Sequence, residues 1–449
     1  MRLFSTYSVK IKHYNHIFKD TVCKYRDAVD FLIFVCLNEW SDIDALKKKT
    51  KQYNFVEHLC HQTADNPMPK YSDFDKQFYK FPSYLRRNAI SQAIGKVSSY
   101  MSNLKNWELA DKRTRGKKPS YPKAGYIYPC MYRTDMYQQV DTYTAKIKVY
   151  IRNTWDWLTI QLRKTDIDYI NRRCASRTMC APTLQKRGHE WFLDFPFEEH
   201  TELVDVDIHD QTILAVDLGI LNAATVAAMR SDGTVLGRHF CKLTSEYDSL
   251  KHCIGRIKKA QHLGNRHMPR LWAKAKGVNR DIAVKTAHFI MEIAALYNAD
   301  TIVFEHLDFG GKKRGSKKQR LHLWRSQYVQ AMVTQKAHRA HMHISHICAW
   351  GTSRLAFDGS GAVLRGSKAG FKSYSLCKFQ NGKVYNCDLS ATYNIGSRYF
   401  IRELLQALPV KVRLALEAKV PQAAKRSTCT LSTLISLNAE LAPLMAQGI

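Results

Sequence analysis

The hydrophobic positions along the chain change their period several times, and each change marks a different kind of structure. The first 20 residues alternate weakly between apolar and polar side chains, which is typical of an edge strand. Over residues 20–107 apolar side chains recur every three or four positions, which predicts helices. Residues 119–205 carry aromatic and β-branched runs that predict a small β-barrel or sandwich. We expect the N-terminal strand to join those strands, so that the helical block is an insertion.

From residue 210 onward the pattern alternates between buried strands and helices. Strands are predicted over 212–220, 223–229, 234–241 and 301–304, and helices over 245–298, at about 321–342 and from Asp388 onward. Residues 348–387 show no regular period, and residues 409–449 predict a helical tail. A strand, a hairpin returning beside it, and then helices alternating with strands is the order of an RNase H-like fold. The predicted fold class is therefore α/β, with β-barrel and helical parts added before it.

Three acidic residues lie within or at the ends of these elements. Asp217 interrupts the apolar run from Leu214 to Leu218, Glu305 ends a second apolar strand, and Asp388 lies at the start of a helix. A lone carboxylate in a buried strand costs several kcal/mol unless it is paired or binds a metal. Taken singly, Asp388 would also suit a helix N-cap and Glu305 a strand end that reaches solvent.

The three acids together have a further interpretation, because segments far apart in the chain can converge in an RNase H-like sheet. A cluster of carboxylates attracts Mg²⁺, which prefers oxygen ligands. Two such ions can promote in-line displacement at a phosphodiester. We therefore predict a Mg²⁺ site and a phosphodiesterase active site at Asp217, Glu305 and Asp388.

The charge of the chain indicates the kind of partner. Lysine and arginine number 69 against 39 aspartates and glutamates, which gives a formal charge of +30. Because 45% of the residues are hydrophobic, a mainly disordered basic protein is excluded. A folded chain of this charge predicts a polyanionic partner, with nucleic acid favoured over an anionic membrane. The longest apolar stretch is too short to span a bilayer, and the N-terminus lacks a secretory signal, so we expect a cytoplasmic protein with no membrane partner.

Three basic runs are candidates for phosphate contact. A single charge run is more often a solvated face, but three runs with few compensating acids favour contact with phosphates. The candidate nucleic-acid-binding residues are Lys117, Lys118, Arg256, Lys258, Lys259, Arg270, Lys274, Arg280, Lys312, Lys313, Arg314, Lys317, Lys318 and Arg320.

Three segments around the acids resemble the RuvC motifs of TnpB, the OrfB-type protein of bacterial insertion elements, and of the compact type V CRISPR effectors. The segments are Asp217-Leu218-Gly219-Ile220-Leu221-Asn222-Ala223-Ala224-Thr225, Val303-Phe304-Glu305-His306-Leu307, and Asp388-Leu389-Ser390-Ala391-Thr392-Tyr393-Asn394-Ile395. The third matches a D-x-x-A-x-x-N-I pattern. Gly116-Lys117-Lys118-Pro119 and Trp191-Phe192-Leu193 resemble, more loosely, parts of the wedge domain of that family.

The resemblance implies an RNA-guided DNA endonuclease. In that family a wedge β-barrel, interrupted by a helical recognition domain, holds the guide RNA and reads a short motif beside the target, and one RuvC site cleaves DNA. Asp217, Glu305 and Asp388 would be the Mg²⁺ ligands. The implied divisions are the first wedge strand (1–20), the helical recognition domain (21–115), the rest of the wedge β-barrel (116–208), the RuvC nuclease with its first two motifs (209–347), a target-nucleic-acid-binding loop (348–387), the helix of the third motif (388–408) and a helical C-terminal tail (409–449).

One part of the chain departs from this family. Its relatives carry a CxxC…CxxC zinc ribbon between the second and third motifs, whereas none of the twelve cysteines here forms a CxxC pair. We therefore expect no zinc, and a loop held by Phe357, Phe371, Tyr374 and Phe379 instead.

Two other functions fit the same three acids or the same charge. One is a DDE transposase on the same fold, and the other is a non-cleaving RNA-guided DNA-binding module. The motifs are compatible with a transposon-borne or a CRISPR-associated protein, with one guide RNA or a split one, and with a monomer or a dimer.

Overall fold

The computed structural model describes residues 1–449 except 14–15, 114, 133, 220–221, 266, 308–324 and 446–449. The chain forms two compact units. The first comprises residues 2–200, and the second comprises residues 201–449 together with Met1.

The first unit surrounds a helical block with strands. Its strands are β1 (Arg2–Lys10), β2 (Tyr137–Gln139), β3 (Thr144–Ile151), β4 (Thr154–Gln161), β5 (Thr178–Met179), β6 (Thr183–Arg187) and β7 (Glu190–His200). Its helices are α1 (Ile17–Asn38), α2 (Trp40–Ala45), α3 (Lys49–Cys60), α4 (Asp73–Gln77), α5 (Ser83–Leu109) and α6 (Lys164–Cys174). Helix α1 packs against α5, because each buries apolar residues at helical spacing, such as Tyr25, Ala28 and Leu32 on α1.

The N-terminal strand lies in the same sheet as the last strand of this unit. β1 pairs antiparallel with β7 over its whole length, from Arg2 opposite His200 to Lys10 opposite Phe192. β5 and β6 also pair with β7, and β2, β3 and β4 form a second, antiparallel sheet. A bridge between Ile11 and Leu162 joins the two sheets. Helix α6 was not predicted, since this whole region was interpreted as strands.

The second unit is built on a five-stranded sheet. Its strands are β8 (Thr212–Asp217), β9 (Ala224–Arg230), β10 (Val235–Cys241), β11 (Thr301–His306) and β12 (His343–Cys348). The order across the sheet is β10-β9-β8-β11-β12, in which β10, β9 and β8 are antiparallel and β8, β11 and β12 are parallel. The predicted strands of this unit are present, but β12 was not predicted and forms the parallel edge of the sheet.

Helices cover both faces of this sheet. They are α7 (Thr244–His262), α8 (Pro269–Leu296), α9 (Ser326–Arg339) and α10 (Cys387–Ala407), and the tail adds α11 (Val410–Lys419) and α12 (Leu431–Met445). Alternate residues of β8 face opposite ways: Ile213 and Ala215 pack toward α10, while Leu214 and Val216 pack toward α8 and α9. The sheet is therefore buried on both sides, which explains why β8 and β9 are almost continuously apolar. None of the helices described is both long enough and apolar enough to cross a bilayer.

A small antiparallel sheet occupies the segment before α10. It consists of β13 (Leu364–Arg365), β14 (Leu376–Lys378) and β15 (Val384–Asn386). Phe357 contacts Phe379 and Tyr385, with ring centroids 5.6 Å and 4.9 Å away. The predicted aromatic support is therefore correct for Phe357 and Phe379, whereas Tyr374 is 63% exposed.

Candidate active site

Two of the three predicted acids lie at the carboxyl ends of neighbouring parallel strands. Asp217 is the last residue of β8, and Glu305 is the fifth residue of β11. Val216 is opposite Phe304 in the parallel register, so Asp217 and Glu305 lie side by side at the same edge of the sheet. Both follow the alternation that points Ala215 toward α10.

The third acid lies at the beginning of α10. Asp388 is the second residue of this helix, which packs across β8, β9, β11 and β12. The Nδ2 group of Asn222, in the loop between β8 and β9, donates a hydrogen bond of 2.9 Å to Oδ2 of Asp388. The N-cap of α10 is Asn386, whose side chain accepts from the backbone N–H of Leu389. The N-cap interpretation of Asp388 is therefore wrong, and its carboxylate is available to the site.

The three acids are close enough for their charges to interact. Burial raises the pKa of Asp217 well above its usual range, and the negative charges of Glu305 and Asp388 raise it further, against the opposing charge of Arg365. Burial also raises the pKa of Glu305. A site that disfavours its own negative charges in this way would be stabilised by a cation.

A hydroxyl group orients Glu305. Thr352 Oγ1 donates a buried hydrogen bond to Glu305 Oε1, and this bond lowers the pKa of Glu305 against the effect of burial. Asn394 on α10 donates 2.9 Å bonds to the carbonyl oxygens of Thr352 and Leu355. The third motif therefore holds the segment that supports the second.

Arg398 ties the same segment to α10 from the other side. Its guanidinium donates to the carbonyl oxygens of Cys348 at 2.7 Å and Trp350 at 2.8 Å. It also donates to Ser427 at 2.9 Å and Cys429 at 3.2 Å, in the tail. Its positive charge lowers the pKa of Glu305 as well.

Gly219 lies two residues after the first motif acid, where the chain leaves β8. A Cβ atom there would lie 2.6 Å from the carbonyl oxygen of Asn222. A side chain would therefore displace Asn222, which contacts Asp388. The absence of a side chain at Gly219 thus allows a close approach within the chain.

The sequence alone did not single out Thr352, Asn222 or Arg398. Asn222 follows Asp217 by five positions in the first motif, so its place in that motif was a usable signal. Thr352 lies in an irregular segment, and no periodicity marks it.

The donor set of the three acids fits a hard cation, because it consists of buried carboxylate oxygens. In the part of the chain that the structure describes, however, no three His, Cys, Asp or Glu side chains are already grouped as ligands of a metal ion. The roles of Asp217, Glu305 and Asp388 as Mg²⁺ ligands and catalytic residues stay predictions.

The predicted nucleic-acid-binding residues fall into three groups. Lys117 and Lys118 are exposed in the first unit. Exposed on α7 and α8 of the second unit are Arg256, Lys258, Lys259, Arg270, Lys274 and Arg280. Outside the described residues lie Lys312, Lys313, Arg314, Lys317, Lys318 and Arg320.

Comparison with known proteins gives two curated relatives and one family. Residues 5–151 match the Aq_aa04 family. The uncharacterized protein aq_aa04 of Aquifex aeolicus is 40% identical over 88 residues, which cover 20% of this chain and 48% of that protein. The TnpB-like protein aq_aa05 of the same organism is 31% identical over 161 residues, which cover 34% of this chain and 52% of that protein. The chain thus spans about half the length of the curated relatives that it matches.

Solved structures give a weaker likeness. A Cas12f1–sgRNA–target DNA complex is 12% identical with a TM-score of 0.33, covering 88% of this chain and 98% of that one. CasPhi-2 (Cas12j) bound to crRNA and phosphorothioate DNA is 9% identical with a TM-score of 0.41, covering 89% and 91%. The resemblance to TnpB is confirmed by the relative of that name.

Proposed function

We propose that this TnpB-like chain is an RNA-guided DNA endonuclease. In this proposal the second unit is an RNase H-like RuvC domain, and the first unit is a wedge β-barrel that carries a helical recognition insertion. The observation that carries the proposal is the convergence of Asp217, Glu305 and Asp388. The charges of these acids interact at one edge of a sheet that is buried on both faces.

The strand order supports the assignment of the second unit. Three antiparallel strands followed by two parallel ones, β10-β9-β8-β11-β12, are the arrangement that the sequence order of an RNase H-like fold requires. Pairing of β1 with β7 supports the assignment of the first unit, because it makes α1–α5 an insertion between two strands of one sheet.

In the proposed mechanism the chain supplies the fixed parts of the site. Asp217, Glu305 and Asp388 would hold Mg²⁺, which when bound supplies an activated water and stabilises the leaving oxygen of a phosphodiester. Thr352 keeps a carboxylate oxygen of Glu305 in place, and Asn222 does the same for Asp388. Arg365, whose charge acts on Asp217, would balance part of the negative charge of the scissile strand.

Nucleic acid would lie along exposed basic faces. The basic residues of α7 and α8 and the pair Lys117 and Lys118 would contact phosphates, while base pairing between guide and target would select the sequence. Such a protein acts in the bacterial cytoplasm, where guide RNA and target DNA meet.

The experiment that tests the proposal begins with the full-length chain purified from cells. RNA that copurifies is sequenced, and a plasmid carrying the matching target is incubated with the complex in Mg²⁺ or in EDTA. We expect cutting only with Mg²⁺ and only of the matched plasmid. Asp217→Ala should reduce cutting to background with RNA and DNA binding retained, while Asp248→Ala, an exposed acid on α7, should cut like the wild type.

Each other outcome points to a different function. Guide-directed binding without cutting would indicate a DNA-binding module. Joining of DNA ends by protein that carries no RNA would indicate a transposase. Full cutting by Asp217→Ala in Mg²⁺ would show that the active site lies elsewhere.

A further inference from the structure

A second charged cavity lies away from the three acids, between α10, α11 and the end of β12. It holds about 260 Å³ and is lined by four arginines, Arg398, Arg402, Arg413 and Arg426. The only acid in its lining is Glu417. Asp217, Glu305 and Asp388 do not line it, although its wall includes Arg398, whose charge also acts on Glu305.

The arginines of the cavity differ in how many of their guanidinium N–H groups already donate hydrogen bonds within the protein. Arg398 and Arg402 donate hydrogen bonds to backbone carbonyl oxygens, and these bonds hold their side chains in the cavity wall. Arg413 is only loosely paired, since its Nε lies 3.8 Å from Glu417 Oε1. This Nε is buried and makes no hydrogen bond to any residue that the structure describes. A buried donor without an acceptor costs free energy, so a ligand oxygen there would stabilise the fold.

The remaining lining restricts the ligand further. Ile401, Leu405 and Ala423 form an apolar wall beside the arginines. The cavity thus offers guanidinium groups, which match the oxygens of phosphate in pairs, together with a surface for a planar or apolar group. Its volume of about 260 Å³ lies just below the usual range of about 300–1,000 Å³ for small-molecule sites, so only a small ligand fits.

We propose that this cavity binds a phosphate monoester of nucleotide size, with Arg413 and Arg426 as its principal phosphate contacts. Two sources share this chemistry, a free nucleoside monophosphate and the 5′-phosphate at the end of a nucleic acid strand. The proposal does not depend on the proposed nuclease activity, because it uses none of the three acids.

The test uses the full-length chain, freed of bound nucleic acid in high salt and titrated by calorimetry in EDTA. The probes are adenosine 5′-monophosphate, adenosine, and a short oligonucleotide with and without a 5′-phosphate. We expect saturable binding of one monophosphate per chain and none of adenosine. Arg413→Gln and Arg426→Gln should each weaken binding at least tenfold, whereas Lys411→Gln, which removes a charge from the exposed side of α11, should change it less than twofold.

Further variants keep the outcome interpretable. Arg413→Lys retains the charge but not the paired donors, so its affinity should be intermediate. If Arg413→Gln unfolds, Arg426→Gln carries the test, because Arg426 is exposed. Tighter binding of the 5′-phosphorylated oligonucleotide than of both the monophosphate and the unphosphorylated oligonucleotide supports a strand end as the source. Equal binding of the two oligonucleotides, together with saturable binding of the monophosphate, supports a free nucleotide. Equal binding of adenosine, or equal weakening by Lys411→Gln, would overturn the proposal.

Discussion

The carboxylate of Glu305 depends on one hydroxyl group for its position. Burial alone raises its pKa, and the hydrogen bond from Thr352 acts in the opposite direction. Removing the hydroxyl leaves a buried carboxylate with one partner fewer, which generally costs about 1–3 kcal/mol. The residue that sets the state of this acid therefore lies in a segment that carries no motif acid.

Thr352→Val tests that dependence, since it replaces the hydroxyl by a methyl group of similar size. We expect it to lower the free energy of unfolding by about 1–3 kcal/mol and to slow cleavage of the matched plasmid about tenfold or more, with target binding unchanged. Thr352→Ser retains the donor and should restore most of the activity. Equal losses in both variants would assign the effect to the Thr352 methyl group instead of the hydrogen bond.

Among individual residues, the three acids were predicted from the sequence, whereas the residues that donate hydrogen bonds to them were not. Asp217 was recognisable because an acid within an apolar run is unusual. The alternative that Asp388 caps α10 stayed open because Asn386 and Asp388 are both good caps, and the bond from Leu389 to Asn386 decides between them. Thr352 acts across 47 residues of chain, and no local pattern reports such a contact.

Among the secondary-structure elements, α10 brings the third acid to the sheet by unusually close packing. A Cβ atom at Gly396 would lie 2.5 Å from Sδ of Met229 and 3.3 Å from the Cβ of Ala215. Gly396 therefore sets the distance between the helix that carries Asp388 and the strand that carries Asp217.

Gly396→Ala should separate these two elements. Overpacking typically costs about 1–3 kcal/mol, and the better helix propensity of alanine returns at most about 1 kcal/mol. We expect a net loss of stability of about 1 kcal/mol and slower cleavage, measured by denaturant unfolding and plasmid cutting. Gly277→Ala is the matched control, because a Cβ there meets no atom within 4 Å, and it should stabilise α8 slightly. A stabilised, fully active Gly396→Ala would show that the close approach is not needed.

An ion pair that responds to pH joins α7 and α8, which also share an apolar cluster. Lys285 on α8 contacts Glu246 on α7 at 2.6 Å. This bond, with one from Ser245, lowers the pKa of Glu246 to about 2. An unfolded glutamate titrates near 4.3, so the contribution of Glu246 to stability is complete above about pH 4.5 and is lost as the pH falls toward 2.

Glu246→Gln isolates this contribution. Its stability deficit relative to the wild type should be constant between pH 7 and pH 5 and should shrink below about pH 4.5, as followed by denaturant unfolding at each pH. Glu292→Gln, an exposed acid on α8, should show no such trend. A deficit that stays constant down to pH 3 would contradict the assignment of the ion pair.

The elements themselves were predicted unequally. β8, β9 and β11 were recognisable because burial on both faces makes them continuously apolar. β12 is an edge strand with His343, Ser345 and His346 among its six residues. These polar residues interrupt the apolar pattern by which the other parallel strands were predicted. Helix α6 buries only Ile170 and Cys174, and a short polar helix between strands leaves little periodic signal.

For the molecule as a whole, the charge of +30 is the property with the widest consequence. The exposed lysines and arginines of α7 and α8 place part of this charge on the helices that cover one side of the second unit. Each phosphate contact contributes about 0.9 to the slope of the logarithm of affinity against the logarithm of salt concentration for duplex DNA.

Replacing Arg270, Lys274 and Arg280 together by glutamine should therefore weaken DNA binding and reduce that slope by up to about 3, as measured by titrations between 50 and 200 mM salt. A variant with Arg270→Lys, Lys274→Arg and Arg280→Lys keeps the charge and should keep the slope. An unchanged slope in the glutamine variant would remove α8 from the nucleic acid interface.

The pairing of β1 with β7 has a consequence for folding during synthesis on the ribosome. The two strands are about 180 residues apart in the chain. At the usual pace of translation, about 5–20 residues per second, β1 leaves the ribosome roughly 10–40 s before its partner is made. During that interval its backbone N–H and C=O groups are unpaired and open to other nascent chains. We expect chaperones that bind nascent chains to protect β1, and slow codons between the two strands to favour aggregation.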